Sequence, residues 1–324
     1  MKLAKTYGYL RKDLQSIEDA LHDSIQANHE VLRKTSSQLL KAGGKRIRPV
    51  FVLLSGQLGS NYDKEQVKTA AVALELIHMA TLVHDDVVDN SELRRGKPTI
   101  KHIYGDQIAM YTGDYILAKA LENILQIRNP KVHQLLSKTI VEVCIGEIEQ
   151  IEQKFNWDQQ LRDYLRRIKR KTALLIATSC KLGAIVSDAT ERQAHHLYKY
   201  GYYIGMSFQI IDDILDFTAS VKELGKPTGG DLIQGHITLP ILIAKQNPAF
   251  DELLRKTFTD PTNVTEEQLD HILTALHQTN AIEKAYEMSE KYLQKALEAL
   301  DILPDYKAKK ILIDIAKAIG KRRS

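Results

Sequence analysis

"LVHDDVVD", residues 82–89, sets three carboxylates (Asp85, Asp86 and Asp89) among Leu82, Val83, Val87 and Val88, with no Lys or Arg inside the run. Apolar residues recur three and four apart from 65 to 89, a period that predicts one helix. On that helix Asp85 and Asp89 share a face and Asp86 stands about 100° round. The poor helix propensity of Asp and like charges four apart cost only ~0.2–0.5 kcal/mol each. Desolvating an ionised carboxylate without a partner costs roughly several kcal/mol. Something positive must face these groups, or else they face bulk water.

A solvated helix end is the ordinary reading of one Asp pair. "FQIIDDILDF", 208–217, argues against it by repeating the spacing as Asp212, Asp213 and Asp216 in still more apolar company. Two such clusters on apparent core helices suit a hard cation. Mg²⁺ keeps several waters and binds through one or two carboxylates plus the phosphates of a substrate.

A phosphate site also needs cations. "GGKRIRP" (43–49) carries Lys45, Arg46 and Arg48, and "ELRRGKP" (92–98) carries Arg94 and Arg95. "RRIKRKTA" (166–173) ends in Lys171-Thr172-Ala173, and "LGKPTGGD" (224–231) places Lys226 just past the second acidic stretch. One basic run is usually a solvated face. A mixed set of Arg forks and Lys point charges beside carboxylates suits a diphosphate.

The rest of the chain sets bounds. It has 324 residues, with 45 Lys+Arg against 41 Asp+Glu, too small and scattered an excess to argue for nucleic acid. Cys144 and Cys180 sit among apolar neighbours and read as small buried hydrophobes in a reducing compartment. The first residues carry charges where a signal peptide needs its apolar segment, and no run of eighteen apolar residues occurs. A soluble, cytoplasmic protein is expected. Helical periods cover 65–89, 106–127, 132–155, 161–186, 190–220 and 281–300, and no segment alternates like a strand. One all-α domain over 1–324 follows, with 65–89 and 190–220 at its centre.

Taken together, GGKRIRP, HDDVVDNSELRRGKPT, KTA, FQIIDDILDF and GKPTGGD resemble, in order and spacing, the motif set of the trans-prenyl diphosphate synthases. The resemblance implies an isoprenoid synthase fold, a helical bundle round a central cavity. It implies repeated condensation of isopentenyl diphosphate with an allylic diphosphate such as farnesyl diphosphate. Asp85 and Asp89 would then bind two Mg²⁺, and Asp212 a third with support from Asp213 and Asp216. Lys45, Arg48, His78 and Arg95 would hold isopentenyl diphosphate; Arg94, Lys171 and Lys226 the allylic diphosphate. Thr172 and Gln209 would lie along the reacting carbons, and Arg322 or Arg323 would help cover the site. Within the family the chain is most similar to large catalytic subunits serving menaquinone synthesis. That implies a heptaprenyl product and a heterodimer with a small subunit, a homodimer being the alternative.

His78 lies seven residues before Asp85, on nearly the same face, whereas His84, His195 and His196 read as ordinary structural histidines. Four or five residues before the first Asp, where short-chain relatives carry a bulky aromatic, stand Thr81 and Ala80, so elongation is expected to continue. Two other readings share some of these features: a class I terpene cyclase, and a non-catalytic or regulatory subunit. The first has no need of the GGKRIRP and RRG clusters, and the second usually lacks one acidic motif.

Overall fold

The computed structural model describes residues 7–218 and 228–322, so Lys226 and Arg323 lie outside it. The expected helices are present as Lys64–Val88, Asp106–Ile124, Pro130–Glu152, Glu191–Thr218 and Ala281–Ala299. The sixth differs. The helix expected over 161–186 is Leu161–Ile168 and Leu174–Ile185 joined by a π-helical turn, Lys169–Ala173. Further helices include Arg11–Ser24, Glu30–Lys41, Ile47–Gly56, Leu239–Ala244, Glu266–His277 and Lys307–Gly320. Helix Ile47–Gly56 is buried throughout from Pro49 to Gly56, so it has no polar face to reveal a period. Among the described residues the only strands are Leu93–Arg94 and Lys97–Pro98, an antiparallel pair.

Backbone contacts divide the chain into two compact units. The first comprises 1–138, 175–198 and 302–314. At its centre lies Lys64–Val88, packed on Asp106–Ile124, Ile47–Gly56 and Arg11–Ser24. Asp63 caps it, its side chain accepting from the Glu65 and Gln66 amides, and thirteen of its residues, from Val67 to Asp86, are buried. By length and composition this helix could cross a membrane, but 67% of its most apolar window is buried within the protein.

The second unit comprises 139–174, 199–301 and 315–324. Its core gathers Tyr164, Met206, Ile210, Ile214, Phe217 and Ile237 with the apolar faces of the later helices. A Cβ on Gly205 would lie 2.4 Å from the Ala173 Cα, so the π-helical turn seats against the 191–218 helix only because that position is glycine. The cysteine expectation holds for one thiol: Cys180 is buried, whereas Cys144 is exposed. Cys144 lies on the outward stripe of its helix with Val141 and Ile145, so its apolar neighbours are themselves exposed.

Candidate active site

Both acidic triplets sit at helix C-termini. The first helix ends at Val88, and Asp89 caps it with its amide on the Asp85 carbonyl, so Asp85 and Asp89 keep the expected four-residue spacing. Asn90 is left-handed (φ 52°). The Ser91 amide returns to the Asp86 carbonyl and the Asn90 amide to that of Val87, a Schellman stop. Asp212, Asp213 and Asp216 fall in the last two turns of Glu191–Thr218. Neither helix has a basic residue in its last turn. A helix C-terminus carries about half a negative charge, so carboxylates there are unfavourable unless a cation answers them.

The middle carboxylate of each triplet is taken up by the protein. Asp86, 4% exposed, accepts from Arg94 Nε at 2.8 Å. Asp213 accepts from the Tyr164 hydroxyl and from Gln209 Nε2, both at 2.8 Å. Burial pushes the Asp213 carboxyl up to about 7 and the Tyr164 phenol well above its ordinary value. Arg167 stacks over Tyr164 at 5.5 Å and donates to the Ile237 carbonyl at 2.6 Å. Asp216 is buried, its carboxylate accepting from the Asp231 amide at 3.1 Å. Arg322 lies 3.0 Å from Asp212.

Among the described residues no three His, Cys, Asp or Glu side chains form a ready metal cage. The donor set still fits Mg²⁺. At the negative end of each helix taken by itself, hard carboxylate oxygens suit an ion completed by water and substrate phosphate.

The cations are ordered by the same local chemistry. In the hairpin, Arg95 (φ 54°) and Gly96 (φ 73°) form a two-residue turn with both residues left-handed, the type I′ geometry that matches strand twist. Arg94, on the strand before the turn, is pinned to Asp86. Arg46 is also left-handed, with φ 44°. A Cβ on Gly44 would lie 2.9 Å from Arg95 Nη1 and 3.2 Å from Arg46 Nη1, so glycine there lets two guanidinium groups close in. His78 lies within electrostatic reach of Arg48, Arg95, Arg94 and Arg46, and burial together with these charges holds its pKa well below the ordinary value. At neutral pH it is an uncharged imidazole. Lys45 is exposed, and its carbonyl accepts from the Tyr7 hydroxyl.

In the second unit Lys171 donates to Gln150 at 2.9 Å, and the Thr172 hydroxyl donates to Gln209 at 2.5 Å. Thr172, Gln209 and Asp213 therefore form one hydrogen-bonded chain. The structure brings together Arg48, His78 and Arg95 in one unit, and Thr172, Gln209 and Asp213 in the other. Sequence reasoning missed Glu75, Gln150, Tyr164, Arg167 and Asp231 as supports. Glu75 alone left a signal, a single carboxylate inside the apolar run 70–80, three residues before His78. His84, expected to be structural, lies 3.2 Å from Asp114.

Residues 29–276 match the polyprenyl synthetase family. The chain is 55% identical to heptaprenyl diphosphate synthase component 2 of Bacillus subtilis, over 100% of this chain and 92% of that protein. It is similar in structure to heptaprenyl diphosphate synthase from Staphylococcus aureus, with a TM-score of 0.92, 44% identity, and 97% and 99% of the two chains covered. A polyprenyl synthase from Caulobacter crescentus CB15, complexed with calcium and isoprenyl diphosphate, superposes with a TM-score of 0.93 at 28% identity, covering 99% of this chain and 98% of that one.

Proposed function

The chain belongs to the polyprenyl synthetase family, and we propose that residues 1–324 form one catalytic domain. It condenses isopentenyl diphosphate with an allylic diphosphate, farnesyl diphosphate first, and repeats the step to an all-trans long-chain product. Full-length similarity to heptaprenyl synthases supports heptaprenyl diphosphate as that product and the menaquinone side chain as its use. We place the reaction in the cytoplasm. A relative named as a component supports a heterodimer with a small second subunit, a homodimer being the alternative.

One observation carries the reading. The 93–98 hairpin, tied to Asp86 through Arg94, turns Arg95 back toward His78 on the helix that ends in Asp85 and Asp89. Carboxylates for a metal-bridged phosphate and cations for direct phosphate contact thus stand on two adjoining elements. Asp85 and Asp89 would hold two Mg²⁺, and Asp212 a third, with support from Asp216 and Asp213. Bound there, Mg²⁺ supplies the positive charge that stabilises diphosphate as a leaving group.

The protein's part follows from its own groups. We assign Arg94, Lys171 and Lys226 to the allylic diphosphate, and Lys45, Arg48, His78 and Arg95 to isopentenyl diphosphate. The allylic C–O bond breaks with its electron pair on the diphosphate, leaving a carbocation. The isopentenyl double bond attacks that carbon, a new C–C bond forms, and the released diphosphate takes the proton. Thr172 and Gln209, hydrogen-bonded to each other, lie along the reacting carbons.

Incubating the purified chain with isopentenyl diphosphate, farnesyl diphosphate and Mg²⁺, with and without its proposed partner, tests this reading. Chromatography of the dephosphorylated products should show a C35 alcohol. A cyclic hydrocarbon, or no consumption of isopentenyl diphosphate under either condition, overturns it.

A further inference from the structure

Glu75 is a buried carboxylate among cations. It is 3% exposed, three residues before His78 on the helix Lys64–Val88, and Arg46 Nη1 donates to its Oε1 at 3.0 Å. Arg46 is held from the other side by Glu18, through Nε and, at 3.2 Å, through Nη2. Among the described residues the second Glu75 oxygen has no hydrogen-bond partner, and neither has Arg48 Nε. The Glu75 charge also acts on Arg48 and Arg95, opposing the effect of burial on both.

Three guanidinium groups this close repel one another, and burial of Arg46 and Arg48 deprives those two of the water that would screen them. Arg46 and Arg95 both press on Gly44, so neither has room to retreat there. Two carboxylates clamp Arg46, and that leaves Arg48 and Arg95 for an incoming anion. A pocket whose donors are already oriented spends less binding energy on ordering them.

We propose that Glu75 is a positioning residue for isopentenyl diphosphate. With Glu18 it holds Arg46 out of the phosphate pocket and keeps Arg48 and Arg95 aligned for the substrate. This rests on the assignment of Arg48 and Arg95 to that substrate. Glu75 touches no reacting atom; its effect falls on KM for one substrate.

Steady-state kinetics with each substrate varied in turn provide the test, on the full chain with its partner. Glu75→Gln keeps the shape and removes the charge. It should raise KM for isopentenyl diphosphate ~10-fold or more while KM for farnesyl diphosphate and kcat stay within about threefold, the range for losing a charge-assisted contact. Glu75→Asp should recover most of the loss, and Glu18→Gln, which loosens the same clamp from its exposed side, should move the same KM by less. Calorimetric titration of isopentenyl diphosphate alone should show the same weakening. Arg48→Gln tests the assignment separately: a rise in KM for farnesyl diphosphate instead of isopentenyl diphosphate would refute the pocket, not the clamp. If Arg48→Gln behaves as assigned and Glu75→Gln lowers thermal stability with KM unchanged, Glu75 is structural and the proposal is overturned. A fall in KM for isopentenyl diphosphate overturns it too, since the carboxylate would then merely repel the substrate. Should Glu75→Gln fail to fold, an unchanged KM in Glu18→Gln overturns the proposal in its place.

Discussion

Asp86 and Asp213, the middle carboxylates of their triplets, are each held by a side chain of another element. Arg94 holds the one, Tyr164 and Gln209 the other, and both are buried. Losing such a partnership costs stability: Asp86→Ala should lower the unfolding free energy by ~1–3 kcal/mol, read by urea denaturation, because it strands the half-buried Arg94. Asp85→Ala, Asp89→Ala and Asp212→Ala should leave the circular dichroism unchanged and reduce turnover by at least about a hundredfold, the scale of losing transition-state charge stabilisation. EDTA should stop the wild-type reaction and Mg²⁺ restore it. Near-normal turnover in any one variant removes that residue from the metal site. His236 supplies a pH test of the second unit. Burial, then the charges of Lys171 and Arg167, lower its pKa to about 4, against Asp231, which raises it. A base whose folded pKa lies below its unfolded value contributes stability above the unfolded pKa and loses it as pH falls through the window. Wild type should therefore lose up to about 3 kcal/mol more than His236→Gln between pH 6.5 and 4, visible as a shift in urea midpoint.

Elements place these residues by where they stop and bend. The helix Lys64–Val88 ends at its carboxylates through a Schellman stop, and the type I′ hairpin then returns two arginines to it. Upstream on the same helix, Ala80 is buried and the Thr81 hydroxyl is satisfied by the His78 carbonyl at 2.8 Å. Both are small, one turn (about 5.4 Å) before Asp85, where a chain anchored at the carboxylates would pass. Ala80→Phe or Thr81→Phe should shorten the product by filling that space, read by chromatography of the dephosphorylated alcohols. Unchanged length in both would mean the alkyl chain runs elsewhere. The π-helical turn makes a separate demand on its neighbour. Gly205→Ala would push a methyl to within 2.4 Å of the Ala173 Cα, which should cost ~1–3 kcal/mol by overpacking. A melting temperature equal to wild type would show that the turn shifts freely.

At the scale of the molecule, one helix leaves an apolar stripe uncovered. Val141, Ile145, Ile148 and Ile151 are 40–58% exposed at three- and four-residue spacing, and Cys144 lies among them. Such a stripe is unusual for a chain that works alone. If the second subunit covers it, a maleimide should label Cys144 quickly in the isolated chain and slowly in the complex, with Cys180 unreactive in both. Burial already pushes the Cys180 thiol up to about 12. Full activity of the dilute chain alone would sink the two-subunit proposal. The order of residues along the chain was enough to specify helices, both acidic triplets and the basic clusters, because helical period and charge pattern are local properties. Spacing alone also put Asp85, Asp89 and His78 on one face. Which side chains hold Asp86 and Asp213 was not legible, since Arg94 sits on a hairpin and Tyr164 lies 49 residues from Asp213. Nor was the exposure of Cys144 or the clamp on Arg46, each of which depends on what a distant element packs against. Local pattern determined the kinds of group this protein carries; tertiary packing decided which partners they meet and which are buried, because desolvation and ion pairing act through space and not along the chain.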